Sequence, residues 1–365
     1  MYRYRYRTLP GREMESTLLL ASAGGFFIGT YPIFVKTPVV LAANVHPIVF
    51  QLYKSFWVAV SGALFIVLRW VRGEELIFAF TWWAVVAALV WVPAGACLVA
   101  AVPRAGVGAG VLIFDGCTTI LSFAFGLVVF GERLKAHTSA DGGVYFTAPL
   151  YLVMSLVGMA GLTLLPKWLS SHPTALKQLD EPLLSSKDDT MPIDTLNRTA
   201  LIGYAFAVAA GAFSAVQYAV VTVGKKAAGL LPTAYAKEAL NPLGSWTLSF
   251  GAASLAVNGI GLVVVSRWHE AVATPPPTLK VRQIWREASA AGVCYTLSVV
   301  TTTLAVERGG NAVVPAQRNA VSLITSGLWG LVYYGEVKGI AAVAWCGAAA
   351  LTMASVVLLG FEKGV

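Results

Sequence analysis

Charged side chains are scarce in this sequence: Asp, Glu, Lys and Arg make up 12% of its 365 residues, about half the share of an ordinary soluble domain. Water is thereby excluded as the solvent for most of the chain. Histidine and cysteine are scarcer, with four of each. Cys97, Cys117, Cys294 and Cys346 all fall in apolar segments without paired spacing, which excludes zinc and redox motifs and leaves no expected metal site. His46, His137, His172 and His269 read as loop residues. No nucleophile elbow or paired-carboxylate motif is present, so the chain is not expected to be an enzyme. No cofactor is expected either: Gly106, Gly108 and Gly110 form a glycine run, but a dinucleotide site needs a strand before it. The formal charge of +8 is spread along the chain, which points to lipid headgroups or an anionic solute and not to nucleic acid.

Apolar residues, in contrast, are abundant, at 57% of the chain with a mean hydropathy of +0.71. A bilayer is crossed by about 20 consecutive apolar residues, and ten such runs can be placed. They lie near 17–41, 47–68, 81–102, 105–131 and 145–165, then 200–224, 234–265, 285–306, 310–335 and 339–361. The expected fold is an all-α, multi-pass membrane protein of ten helices. Proline and glycine interrupt several runs, which membrane helices tolerate when neighbours satisfy the freed backbone groups.

Residues 1–16 form a basic tail with Arg3, Arg5, Arg7 and Arg12, and no signal-cleavage pattern follows it. The stretch 167–199 reads as a flexible, solvated linker between a first unit at 17–166 and a second at 200–361. Basic residues concentrate on the side of the first unit that carries the N-terminus, which implies a cytoplasmic N-terminus.

The two units echo one another. Laid without gaps at an offset of 204, residues 101–135 and 305–339 share eleven identities: Ala101, Val102, Arg104, Gly106, Ile120, Ser122, Gly126 to Val128, Gly131 and Glu132 each meet their own type. An odd number of helices separates the copies, so the second enters the membrane from the opposite face. Two inverted five-helix repeats can exchange conformations and expose a shared midplane site first to one side and then to the other.

The first helix carries Gly24, Gly25, Gly29, Pro32 and Lys36. The second carries Phe50-Gln51, and the fourth and ninth end in Phe130-Gly131-Glu132 and Tyr334-Gly335-Glu336. With these motifs the chain resembles the drug/metabolite transporter superfamily, EamA-like members included. Its first helix is similar to the opening of the sugar-transporter-like branch that contains transmembrane protein 144 and the glucose/ribose porters. The resemblance implies ten helices in two inverted repeats and carriage of a small polar solute, a sugar or related metabolite first.

Ionisable groups within a bilayer cost roughly 2.5–3.5 kcal/mol on insertion scales, so each needs a partner or a wet cavity. Lys54, Asp115 and Arg318 lie inside apolar runs. One reading has Lys54 and Arg318 binding solute oxygens, with Asp115 accepting from hydroxyls or taking up a coupling proton or ion. The other makes them a structural ion pair. Gln317-Arg318-Asn319 sets three polar side chains in one turn, expected to line a cavity, with Tyr31 and Tyr218 as further candidates for solute binding and Lys36 as a cavity cation or a headgroup anchor. Lys237 and Glu238 are a candidate gate or an interfacial pair opening the seventh helix. Glu132 and Glu336, at helix C-termini where the dipole disfavours anions, are expected to pair with nearby bases such as Arg133 and Lys338. An anionic solute, such as a nucleotide sugar or phosphorylated metabolite, fits the two cations, and a lipid-binding or scaffolding protein on the same fold would need none of this chemistry.

Overall fold

The computed structural model describes residues 11–74, 78–105, 107–139, 141, 143–171, 193–229, 238–333 and 338–362. Helix α1 (Gly11–Thr30) stops at Pro32, whose ring removes a backbone donor. Two short helices follow, α2 (Pro32–Val35) and α3 (Pro38–Ala43), each with proline in its first turn, where the missing N–H would be unpaired anyway. Next come α4 (Pro47–Val71), α5 (Trp82–Ala105) and α6 (Val107–Ala124), the last running into a π-helical turn at Phe125–Val129. A two-residue hairpin of β1 (His137–Thr138) and β2 (Val144–Tyr145) pairs His137 with Tyr145. The remainder is α7 (Ala148–Ser171), α8 (Ile193–Gly229), α9 (Ser245–Ala271), α10 (Val281–Gly309), α11 (Val314–Leu328) with a second π turn at Trp329–Tyr333, and α12 (Ile340–Phe361).

Among the described residues, nine helical stretches are long and apolar enough to cross a membrane. The chain is thus an all-α, integral multi-pass membrane protein. Large apolar side chains such as Leu19, Val128, Ile260 and Val343 point outward, as a lipid-facing surface requires. Helix α11 is different. Val314 to Leu323 are all buried, so protein surrounds this part of the helix and keeps Gln317, Arg318, Asn319 and Ser322 away from lipid.

Close packing rests on small residues, which let membrane helices approach. Helix α1 presses Gly25 and Gly29 against the backbone of α11 at Arg318 and Ser322, and Gly24 against Thr302 of α10. Helices α4 and α9 cross antiparallel, Gly62 meeting Leu248 and Gly251 meeting Ala59, with Asn258 donating to Ser55 at 2.5 Å. Helix α8 packs on α5 and α6, α7 on α12, α6 on α11, α5 on α9, and α4 on α10. The largest buried apolar cluster runs from Ile28 and Tyr31 through Trp91 to Phe250 and Tyr295.

Several expectations change. The first helix is broken at Pro32 instead of continuing to 41, and the seventh is interrupted by the turn holding Asn241 and Pro242 and runs from Ser245, its expected start at 234 lying outside the described residues. The stretch 167–199 is not all linker, since α7 reaches Ser171 and α8 begins at Ile193. His269 is in the last turn of α9 and not in a loop. Residues 172–192, His172, Lys237 and the Tyr334-Gly335-Glu336 ending lie outside the described residues.

Candidate functional site

Three of the four buried charges among the described residues are Lys54, Asp115 and Arg318, exposed by 2%, 1% and 4%. They come from α4, α6 and α11 and all line one cavity. Lys54 stands eight residues from His46, where α4 is capped, or about 12 Å along the helix at ~1.5 Å per residue. Its ammonium lies over three rings, 4.7 Å from the centroid of Tyr295, 5.3 Å from Tyr31 and 5.6 Å from Trp91. Each ring face offers electrostatic attraction without a countercharge.

Arg318 Nη1 approaches Asp115 Oδ1 at 3.9 Å, too far for a hydrogen bond. That nitrogen instead donates to Asn319 Oδ1 at 2.7 Å. Both carboxylate oxygens of Asp115, and Nε of Arg318, are buried without a hydrogen-bond partner. Buried polar atoms are nearly always paired, and of those without a partner among the described residues these three are the ones that belong to cavity-lining side chains. The side chains of Tyr31, Tyr218, Gln217, Ser214, Ser322 and Ser326 complete the polar wall. The cavity encloses about 590 Å³, open mouth included.

A second cavity of about 390 Å³, again with its mouth, lies behind the first among Val221, Trp246, Phe250, Ser298 and Thr303. Gln217, Tyr218, Tyr295 and Arg318 line both cavities, so the two adjoin there. Their linings extend toward opposite ends of the bundle. The first reaches Pro32, at the far end of α1, and Val111, near the start of α6; the second reaches the late part of α8 and the start of α9. Helices α1 and α10 run antiparallel, since Arg308 donates to Ser16 and Ser298 to the Gly24 carbonyl. Thr303, in the second chamber, therefore lies toward the end where α1 begins.

The structure brings Lys54, Asp115, Arg318, Tyr31 and Tyr218 to one site but sends other candidates elsewhere. Gln317 Nε2 donates to the Leu18 carbonyl and to Ser22 Oγ on α1, both at 3.0 Å. Asn319 Nδ2 donates to the Asp115 carbonyl at 3.2 Å and to Thr119 Oγ1 at 3.1 Å. Of the polar triplet, only Arg318 lines the cavities, because successive residues on a helix point about 100° apart. Glu238 lies away from both cavities, bound to Arg69 at 2.6 Å and accepting from Asn241 and Ser245. Burial alone raises its carboxyl, but the bonds from Arg69 and Asn241 outweigh that and hold it below the usual range. Lys36 caps α2 and is not part of either lining.

Glu132 departs from the expected pairing with a neighbouring base. Its carboxylate accepts from the backbone N–H of Asn311 at 2.7 Å and of Ala312 at 3.0 Å, in the turn between α10 and α11. Helix-start donors are unpaired within the helix and attract anions, so the glutamate serves a partner 179 residues away. Lys226 donates to the Phe130 carbonyl at 3.1 Å, and Asn311 bonds Thr222. This cluster ties the ends of α6 and α8 to the start of α11.

Sequence reading missed Trp91, Tyr295 and Ser214, which sit in apolar runs and carry no local signal. Gln51 was read only as part of a motif; it is fully buried, its amide lies against Gly95, and neither amide atom has a partner.

No family model matches the sequence, and no curated protein matches it. A solved structure described only as "Crystal structure of protein" is similar over 95% of this chain and 99% of its own, with a TM-score of 0.59 at 16% identity. At that identity the likeness concerns the fold alone.

Proposed function

We propose that this protein is a secondary carrier that moves a small polar solute by alternating access, with the charged cavity as the solute site. The observation that carries the reading is the pair of adjoining cavities that share Gln217, Tyr218, Tyr295 and Arg318 and extend toward opposite ends of the bundle. A carrier needs such a site within reach of both faces but open to one at a time. A scaffold has no use for unpaired carboxylate oxygens in a membrane interior.

Two inverted five-helix repeats, with α11 and its π turn as the tenth span, supply the machinery. Pairing α1 with α8, α4 with α9, α5 with α10, α6 with α11 and α7 with α12 turns the most extensive helix contacts into one another or into themselves. The α5/α8 contact becomes α10/α1, α6/α8 becomes α11/α1, and α5/α9 becomes α10/α4. The π turns at 125–129 and 329–333 differ by the same 204 residues as the sequence repeat. Asp115 and Asn319, also 204 apart, touch each other, as residues near a pseudo-two-fold axis must.

The reading agrees with membership in the drug/metabolite transporter superfamily, with a sugar or related polar metabolite as first solute, Asp115 as the place for a coupling proton, and a cytoplasmic N-terminus. The test is counterflow of labelled sugars and sugar acids in liposomes containing the purified chain. Exchange is expected, and Arg318→Ala, checked for an unchanged gel-filtration profile, should remove it. Inertness of the intact protein across that panel favours a scaffold and contradicts the proposal.

A further inference from the structure

The charges buried in the cavity do not sum to zero. Among the described residues, Lys54 and Arg318 contribute two positive charges and Asp115 one negative, and no other acid or base of the Asp, Glu, Lys, Arg or His type lines either chamber. The fourth buried charge, Glu362, lies past the end of α12 and bonds His137 at 2.7 Å. Moving a proton from Lys54 to Asp115 leaves the sum at one positive charge, so the excess does not depend on which of them holds it. The rings around Lys54 ease its burial but carry no net charge and cancel none of the excess. A charge without a countercharge in a low-dielectric interior is costly, and a ligand that supplies the missing sign removes the cost.

We infer that the solute is a hydroxylated organic anion with one negative charge, of the chemistry of a sugar acid. This rests on the cavity being the solute site. A single carboxylate brings the cavity to neutrality, whereas a phosphate monoester, carrying about −1.5 to −2 at neutral pH, overshoots. The hydroxyls follow from the unpaired atoms: the two Asp115 oxygens require donors, and Arg318 Nε requires an acceptor. Ser214 and Ser322 on the same wall can serve either way, and Ser326, whose hydroxyl donates to the Gly29 carbonyl, can accept.

The probes are gluconate, glucose and glucose 6-phosphate, hydroxylated six-carbon compounds that differ in charge, titrated against the full-length protein in nanodiscs with the melting temperature as readout. Gluconate should bind about tenfold more tightly than either alternative. Lys54→Gln makes the fixed charge zero, so gluconate and glucose should come within about twofold of each other. Asp115→Asn makes it two positive, and glucose 6-phosphate should overtake gluconate. Glucose binding the unmodified protein as tightly as gluconate overturns the inference without any variant, as does an undiminished gluconate preference in Lys54→Gln. Absence of binding by all three also overturns it. The carrier proposal is judged separately, by which membrane face reaches each chamber.

Discussion

The buried groups divide by what they touch. Lys54 has rings, the carboxylate oxygens of Asp115 have no hydrogen-bond partner, and Glu362 has a base. Glu362 shows what a satisfied carboxylate looks like in this molecule. Burial works against its charge, yet hydrogen bonds from His137 and Thr147 outweigh it and hold the carboxyl below the usual range. A lowered folded value means the stabilisation is fully present above the unfolded value, about 4.3, and is lost as pH falls through the folded one. Melting temperatures of the protein and of Glu362→Gln should therefore differ at neutral pH and converge below about pH 4. A gap that stays constant on acidification would show that this charge does not contribute.

At this scale the sequence was informative where polarity contrasts with its surroundings. Lys54, Asp115 and Arg318 are conspicuous because a charge inside an apolar run demands an explanation. Trp91 and Tyr295 were not, since an aromatic residue in a membrane helix is ordinary until three rings close around one ammonium. The fate of Gln317 and Asn319 was equally hidden. Which side of α11 meets α1 and which meets the cavity depends on packing by Gly25 and Gly29, residues 293 positions before the Arg318 and Ser322 they touch.

Among the elements, helix α11 shows why a hydropathy criterion can pass over a segment that protein encloses. Its buried face includes Gln317, Arg318, Asn319 and Ser322, and a helix surrounded by other helices has no need to be apolar throughout. Its start is held by Glu132 across the bundle, a link that no local rule indicates, because a C-terminal glutamate on one helix reads as unfavourable until the N-terminus it serves is known. Hydrogen bonds to charged groups contribute about 1.5–3 kcal/mol each. Glu132→Gln keeps one acceptor and loses the charge, so a loss of about 1–3 kcal/mol is expected in reversible denaturant unfolding, with Arg133→Gln near zero. Equal losses for the two would return the glutamate to the neighbouring base.

For the molecule as a whole, the all-α multi-pass class was readable from the length and composition of the apolar runs, which the bilayer dictates directly. Helix ends were less so. Pro32 and Pro242 mark breaks, but whether a proline kinks, ends or merely starts a helix is settled by its neighbours. The 204-residue offset recurs in the two π turns and in the Asp115–Asn319 contact, and it motivates the view of two halves working against each other around a buried charge set.

That view is tested most directly by side-specific labelling in sealed, uniformly oriented vesicles, on a cysteine-free protein carrying either Thr303→Cys or Leu98→Cys. Thr303 lines the chamber toward the end where α1 begins, and Leu98 lines the opposite one. The account predicts that a membrane-impermeant thiol reagent reaches Thr303→Cys only from the face bearing the start of α1, and Leu98→Cys only from the other. Labelling of both positions from one face, or of neither from any, would contradict it.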